Sequence, residues 1–156
     1  MIFRVRAAAI ILNSLREVLL VLHRNPLTGE EWWTLPGGRL ENEESAMEAV
    51  IREIKEECGI ECKPKSLVYV REFIEGHKEK VHHVELYFTA EVDNYDIETG
   101  LDPELDEQFI VESRFMSKEE IESTDISVYP EVLKDRFWYD LESGFVGHTV
   151  YLGIQK

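Results

Sequence analysis

The sequence predicts one α/β (α+β) domain, a mixed β-sheet flanked by helices. Three observations lead there. Short apolar runs and helical segments alternate without a regular βαβ rhythm, which favours a mixed sheet over a purely parallel one. One segment, Ser45 to Cys58, carries a complete set of helix signals. The chain of 156 residues shows no repeat, no low-complexity tract and no linker, so residues 1–156 are expected to form a single domain with a sizeable core.

The elements follow in order. Phe3 to Asn13 and Glu17 to His23 are apolar enough for strands, and Asn13-Ser14 between them predicts a hairpin. Asn25 to Gly29 is a loop by its turn residues. Trp32 to Leu35 reads as a short aromatic strand that stops at Pro36-Gly37-Gly38. The helix after it opens with a capping-box pattern, Ser45 and Glu48, and Gly59 is its stop. Ser66 to Ile74 and Val81 to Val92 are strands joined by a polar connection, whose locally basic tip (Gly76 to Lys80) reads as a solvated turn. Tyr95 to Glu107 is acidic and turn-rich, a surface loop. Phe109 to Met116 is a further strand, and Ser117 with Glu120 caps a short helix. Glu131 to Leu141 reads as a helix after Pro130, and His148 to Leu152 as a last strand.

Composition narrows function. Acidic residues outnumber basic ones 32 to 17, a formal charge of −15, so nonspecific binding to nucleic acid is disfavoured. No apolar run approaches the ~20 residues of a membrane span, and Ala7 to Leu12 is too short and poorly flanked for a signal peptide. A cytoplasmic location without membrane partners is therefore expected. Cys58 and Cys62 with His82 and His83 offer zinc-ligand chemistry but lack a second matched pair. Free thiols, with Cys58 in a core, are the expected reading.

On a helical wheel with Glu53 at zero, Glu57 falls at roughly 40° and Glu56 at roughly 300°. Three carboxylates thus share one arc. Val50, Ile54, Met47, Cys58 and Ile51 lie on an adjoining apolar stripe. Such an arc is either a solvated acidic face or a set of hard oxygen ligands for Mg²⁺, and spacing alone does not choose between them.

The flanking loop adds the deciding pattern. From Gly38 to Ile60 the chain reads GRLENEESAMEAVIREIKEECGI. This resembles the Nudix box: G, five residues, E, seven residues, then R-E-U-x-E-E-x-G-U, with U a bulky aliphatic. Gly38, Glu44, Arg52, Glu53, Ile54, Glu56, Glu57, Gly59 and Ile60 fill every specified position, and Leu35-Pro36-Gly37 is similar to the family's lead-in. The resemblance implies a Nudix-like αβα sandwich and Mg²⁺-dependent hydrolysis of a diphosphate linkage, with Mn²⁺ as a substitute metal. By resemblance, Glu56 and Glu57 are the principal metal ligands, completed by Glu53 and the Gly38 carbonyl. Arg52 and Glu44 are an ion pair bracing the loop, while glycine at 37 and 38 permits close approach. The general base is left between Glu53, Glu107 and Glu112.

The substrate that the resemblance implies is a nucleotide-type small molecule. A nucleoside diphosphate linked to another moiety, ADP-ribose or a nucleotide sugar, comes first. Nucleoside triphosphates and dinucleoside polyphosphates are the alternative, a prenyl-diphosphate isomerase is remote, and a noncatalytic nucleotide-sensing module stands outside the enzyme class. The proline and tyrosine that mark two subfamilies past the box are absent; Glu75, Gly76 and His77 stand there. Trp33 is the candidate for stacking on a base and Arg39 for contacting phosphate. A homodimer is expected by analogy with relatives alone.

Overall fold

A computed structural model describes residues 1–100 and 109–155. Strands β1 (Ile2–Ile10) and β2 (Val18–Arg24) each contain an apolar run buried on both faces, over Ala7–Ile11 and Val18–Leu22. A strand so covered belongs inside a sheet. The predicted hairpin is not formed: the two strands enter different sheets, joined by a single antiparallel bridge between Leu12 and Val18. The turn itself is present. Asn13 Oδ1 accepts from the amides of Leu15 and Glu17, and Arg16 adopts a left-handed φ of 59°.

Instead of one mixed sheet there are two. Besides β1, the first contains β4 (Gly37–Arg39), β5 (Cys62–Glu75), β6 (Val81–Val92) and β9 (Val150–Gln155), in the order β4-β1-β6-β5-β9. Strands β1 and β6 run parallel, as do β5 and β9. The second is ordered β7-β2-β3-β8, with β3 at Glu31–Thr34, β7 at Ile110–Met116 and β8 at Ser127–Tyr129. Gly37–Arg39 pairs as strand β4 where the sequence predicts a turn, because glycine weakens a strand signal. Strand β8, three residues long, is too short to show a period.

Helix α1 (Ala46–Cys58) starts and stops where its signals predict. Ser45 and Glu48 form both bonds of the capping box, and Gly59 closes the helix in the left-handed conformation at φ 71°. Helix α2 (Lys118–Ser123) has a second complete capping box, from Ser117 and Glu120. The predicted helix over Glu131 to Leu141 is broken in two. A 3₁₀ turn covers Glu131–Lys134, Asp135 leaves helical space at φ −134° and ψ −120°, and α3 follows at Phe137–Glu142.

Two cores result, one on each side of the β layer. Ala7, Ala9, Leu19 and Val21 pack with Val50, Ile54 and Cys58 of α1. Ala8, Ile10, Leu20 and Leu22 pack on the opposite side with Ile121 of α2, Leu133 of the 3₁₀ turn and Phe137 of α3. The order of layers is helix, strands, helix.

The Ser45 cap generates a stability prediction. Ser45→Ala is expected to cost about 1 kcal/mol and lower Tm by about 2–4 °C, read by thermal circular dichroism. An unchanged Tm would show that the cap does not hold the helix start.

Candidate active site

Helix α1 departs from its wheel in one informative respect. Glu53 and Glu57, each 2% exposed, lie within the buried face and not beside it, whereas Met47 and Ile51 at the far edge of the apolar stripe are exposed. Buried carboxylates are costly unless partnered. Arg52 supplies much of that partnership. Its Nε donates to Glu44 Oε2 at 2.8 Å and its Nη2 to Glu44 Oε1 at 2.9 Å, a bidentate pair. The same Nη2 donates to the Arg39 carbonyl at 3.0 Å. Nη1 reaches Glu53 Oε1 at 2.9 Å and Glu56 Oε2 at 3.3 Å. One guanidinium therefore binds the loop before α1 to two of the three carboxylates on the helix. Hydrogen bonding to Arg52 holds the Glu44 carboxyl below its ordinary range, and Glu44 in turn pushes the Arg52 pKa up.

The glycines of the loop admit this packing. A methyl group at Gly38 would lie 2.4 Å from Glu53 Oε1, and one at Gly37 would lie 2.2 Å from the Ala7 carbonyl oxygen. Glu53 is thus seated against the loop backbone, and the loop against β1.

The C-terminal end of α1 has partners that the sequence did not announce. Gly100 N donates to the Glu57 carbonyl at 2.8 Å and Glu98 N to that of Cys58 at 2.9 Å. Ser113 Oγ on β7 donates to the Glu57 carbonyl at 3.1 Å. Glu98 to Gly100 are thus docked on the helix end, not simply lying over the surface, and the rest of the predicted loop to Glu107 lies outside the described residues.

The remaining candidates are distributed as follows. Glu112 is on β7 opposite Leu22, on the face turned away from α1, with its side chain 48% exposed and Arg114 Nε 3.5 Å away. Glu107 lies outside the described residues. Trp33 is 3% exposed in the core, with the Arg114 guanidinium 5.2 Å over its ring, so it has no open face for a base. Arg39 borders an open groove of about 780 Å³ shared with Phe3, Arg4 and Asn42.

Cys58 and Cys62 are buried free thiols, and burial pushes them up to about 12 and about 11. Cys62 pairs with Val92, whereas His83 sits nine residues earlier on β6, roughly 30 Å along the strand. The four zinc-ligand candidates do not converge.

A second polar cluster occupies the α2–α3 side of the first sheet. Arg6, Glu85 and Arg71 are register partners on β1, β6 and β5. Arg71 Nη1 donates to Glu85 Oε1 at 2.6 Å, Tyr87 donates to the same oxygen at 2.5 Å, and Arg6 Nε donates to Glu85 Oε2 at 3.3 Å. The signal was a run of charged residues at strand period on otherwise buried strands, at 71, 83 and 85.

The NUDIX domain family model matches residues 2–136. The chain belongs to the Nudix family of pyrophosphohydrolases. This Nudix chain is 33% identical over 110 residues to the asymmetrical bis(5'-nucleosyl)-tetraphosphatase of Sus scrofa, covering 66% of this chain and 69% of that one. It is 45% identical over 64 residues to the 8-oxo-dGDP phosphatase of Danio rerio, covering 41% of this chain but only 19% of that relative. Among solved structures, a MutT protein from Methanosarcina mazei Go1 superposes with a TM-score of 0.69 at 26% identity, covering 92% of this chain and 96% of that one.

The Glu44–Arg52 pair generates a pH prediction. Because the folded-state pKa of Glu44 is depressed, its stabilisation is present above the unfolded value of about 4.3 and is lost as pH falls through the folded value. Glu44→Gln is expected to cost about 1–2 kcal/mol near neutral pH in urea unfolding. The gap to wild type should close progressively below about pH 4. A gap independent of pH would remove the ion pair as its cause.

Proposed function

We propose that this chain hydrolyses a diphosphate linkage in a nucleoside diphosphate joined to another moiety, with Mg²⁺ held by Glu53, Glu56, Glu57 and the Gly38 carbonyl. The observation that supports it most is the seating of Glu53 against Gly38, with Arg52 bonded to Glu44, Glu53, Glu56 and the Arg39 carbonyl. The donors are all hard oxygens, which suit Mg²⁺. Among the described residues no three such side chains are yet gathered at ligating distance, and Arg52 spans the gap between Glu53 and Glu56.

Mg²⁺, when bound, neutralises diphosphate oxygens and lowers the pKa of the attacking water. Glu53 is the group on this chain suited to take that water's proton, being fixed against the loop backbone by Arg52. Arg39 and Arg4, beside the groove, are placed to hold phosphate oxygens in an otherwise strongly acidic protein. Water attacks phosphorus, and a phosphate-bearing group departs.

A second reading keeps the chemistry and changes the substrate to a dinucleoside polyphosphate or a nucleoside triphosphate. The tetraphosphatase from Sus scrofa favours it, since the similarity extends over two thirds of each chain.

The test is chromatography of products after incubation with Mg²⁺ or Mn²⁺ and a panel of nucleotide sugars, ADP-ribose, dinucleoside polyphosphates and nucleoside triphosphates. Glu57→Gln should lower the rate by ~10²–10⁴, or about 3–5 kcal/mol. Activity within threefold of wild type would remove Glu57 from the metal site. Nucleotide binding with no cleavage of any panel member would favour a sensing module over an enzyme.

A further inference from the structure

The last carbonyls of an α-helix have no partner within the helix, so its final turn frays unless something outside caps it. The final turn of α1 carries Glu56 and Glu57, and the placing of both carboxylates depends on how that turn is held. Gly59 N closes one of these carbonyls, that of Lys55. The next ones are capped from outside the helix. Glu98 N donates to the Cys58 carbonyl at 2.9 Å. The Glu57 carbonyl accepts twice, from Gly100 N at 2.8 Å and from Ser113 Oγ at 3.1 Å. A carbonyl oxygen has two lone pairs, and here both are engaged.

Ser113 joins these donors into one clamp. It is a buried polar residue on β7, in register with Val21 of β2, so the second sheet fixes its position. Its amide donates to Thr99 Oγ1 at 2.9 Å. One residue therefore grips both the helix end and the segment that caps it. The fit is close. A methyl group at Gly100 would lie 1.7 Å from the Glu56 carbonyl oxygen, and one at Gly59 would lie 3.2 Å from Glu98 Cβ. Gly100 is thus packed on the peptide that links Glu56 to Glu57. Arg52 ties Glu53 and Glu56 to the box loop, and the clamp ties the Glu57 peptide to the second sheet.

We propose that Ser113 is a positioning residue for the metal site, acting on Glu57 through its backbone carbonyl. The proposal rests on the reading of the chain as a metal-dependent hydrolase with Glu57 as a ligand. The held carbonyl and the Glu57 side chain leave the same backbone unit, so fixing one sets the direction of the other. Mg²⁺ demands near-octahedral oxygen geometry at about 2.0–2.1 Å, which makes its affinity sensitive to small displacements of a ligand. Groups that orient ligands without touching the metal tune that affinity for the same reason. With the Ser113 hydroxyl removed, the Glu57 carbonyl keeps the Gly100 amide and the peptide can turn about that bond. Threonine at 113 keeps the hydroxyl, whereas alanine does not.

The test measures Mn²⁺ binding to the whole chain, without nucleotide, from the electron paramagnetic resonance signal of the free ion. The site in question is the one that Glu57→Gln weakens, and Tm is followed in parallel by circular dichroism. Ser113→Ala is expected to raise the Mn²⁺ Kd of that site about three- to tenfold, the worth of one hydrogen bond. The Mg²⁺ concentration for half-maximal hydrolysis should rise by the same factor, with the nucleotide KM unchanged. Ser113→Thr should restore both. Thr99→Val, a change at an exposed position, loosens Ser113 from the other side and should raise the Kd in the same direction. A Ser113→Ala protein with a lowered Tm but the wild-type Mn²⁺ Kd overturns the proposal, leaving the serine a contact of the fold alone. Wild-type protein that binds no Mn²⁺ removes the metal reading itself and the proposal with it.

Discussion

The site depends on one guanidinium. Arg52 bonds to the Glu44 carboxylate of the loop, to the Arg39 carbonyl at the end of β4, and to Glu53 and Glu56 on its own helix. Helix and loop also meet where Glu53 is seated against Gly38, on a short edge strand of only three residues. Holding them in one geometry requires a rigid planar donor with several N–H groups, which arginine has and lysine lacks. The glycines then become necessary, because the loop that Arg52 draws in leaves no room for a side chain at 37 or 38.

Net charge makes this arrangement more demanding. A chain of formal charge −15 repels an anionic substrate at long range and loads α1 with like charges. The basic residues are not scattered at random against that background. Arg39, Arg6 and Arg71 fall in register across neighbouring strands, and Arg4 flanks the groove beside the box loop. Local cationic geometry works against a global field of opposite sign, and divalent metal would add to it.

The sequence disclosed what is encoded locally. Ser45, Glu48 and Gly59 bounded α1 because caps act within a single turn. The box glutamates were legible for the same reason, since their spacing sits on one helix. What escaped is tertiary. Asn13 and Arg16 do form a turn, but nothing in a turn says whether its two strands pair or part. Gly37 to Arg39 is a strand because β1 lies beside it, and Trp33 is buried because both sheets and α2 close around it. Arg71 is marked locally only as a charge in an otherwise apolar run. Its surroundings come from three other strands, β6, β8 and β9, and from a 3₁₀ turn.

The parting of β1 from β2 has a consequence for how the chain is made. The parallel partner of β1 is β6, and the Arg6–Glu85 bond joins residues 79 positions apart. A high-contact-order pairing of this kind cannot begin until β6 has been synthesised. At about 5–20 residues per second, Ala7 to Ile11 would wait roughly 4–16 s in the nascent chain for this parallel ladder, with only the short β4 available earlier. This apolar stretch is therefore made long before its parallel partner, and its exposure during translation is set by topology, not by composition.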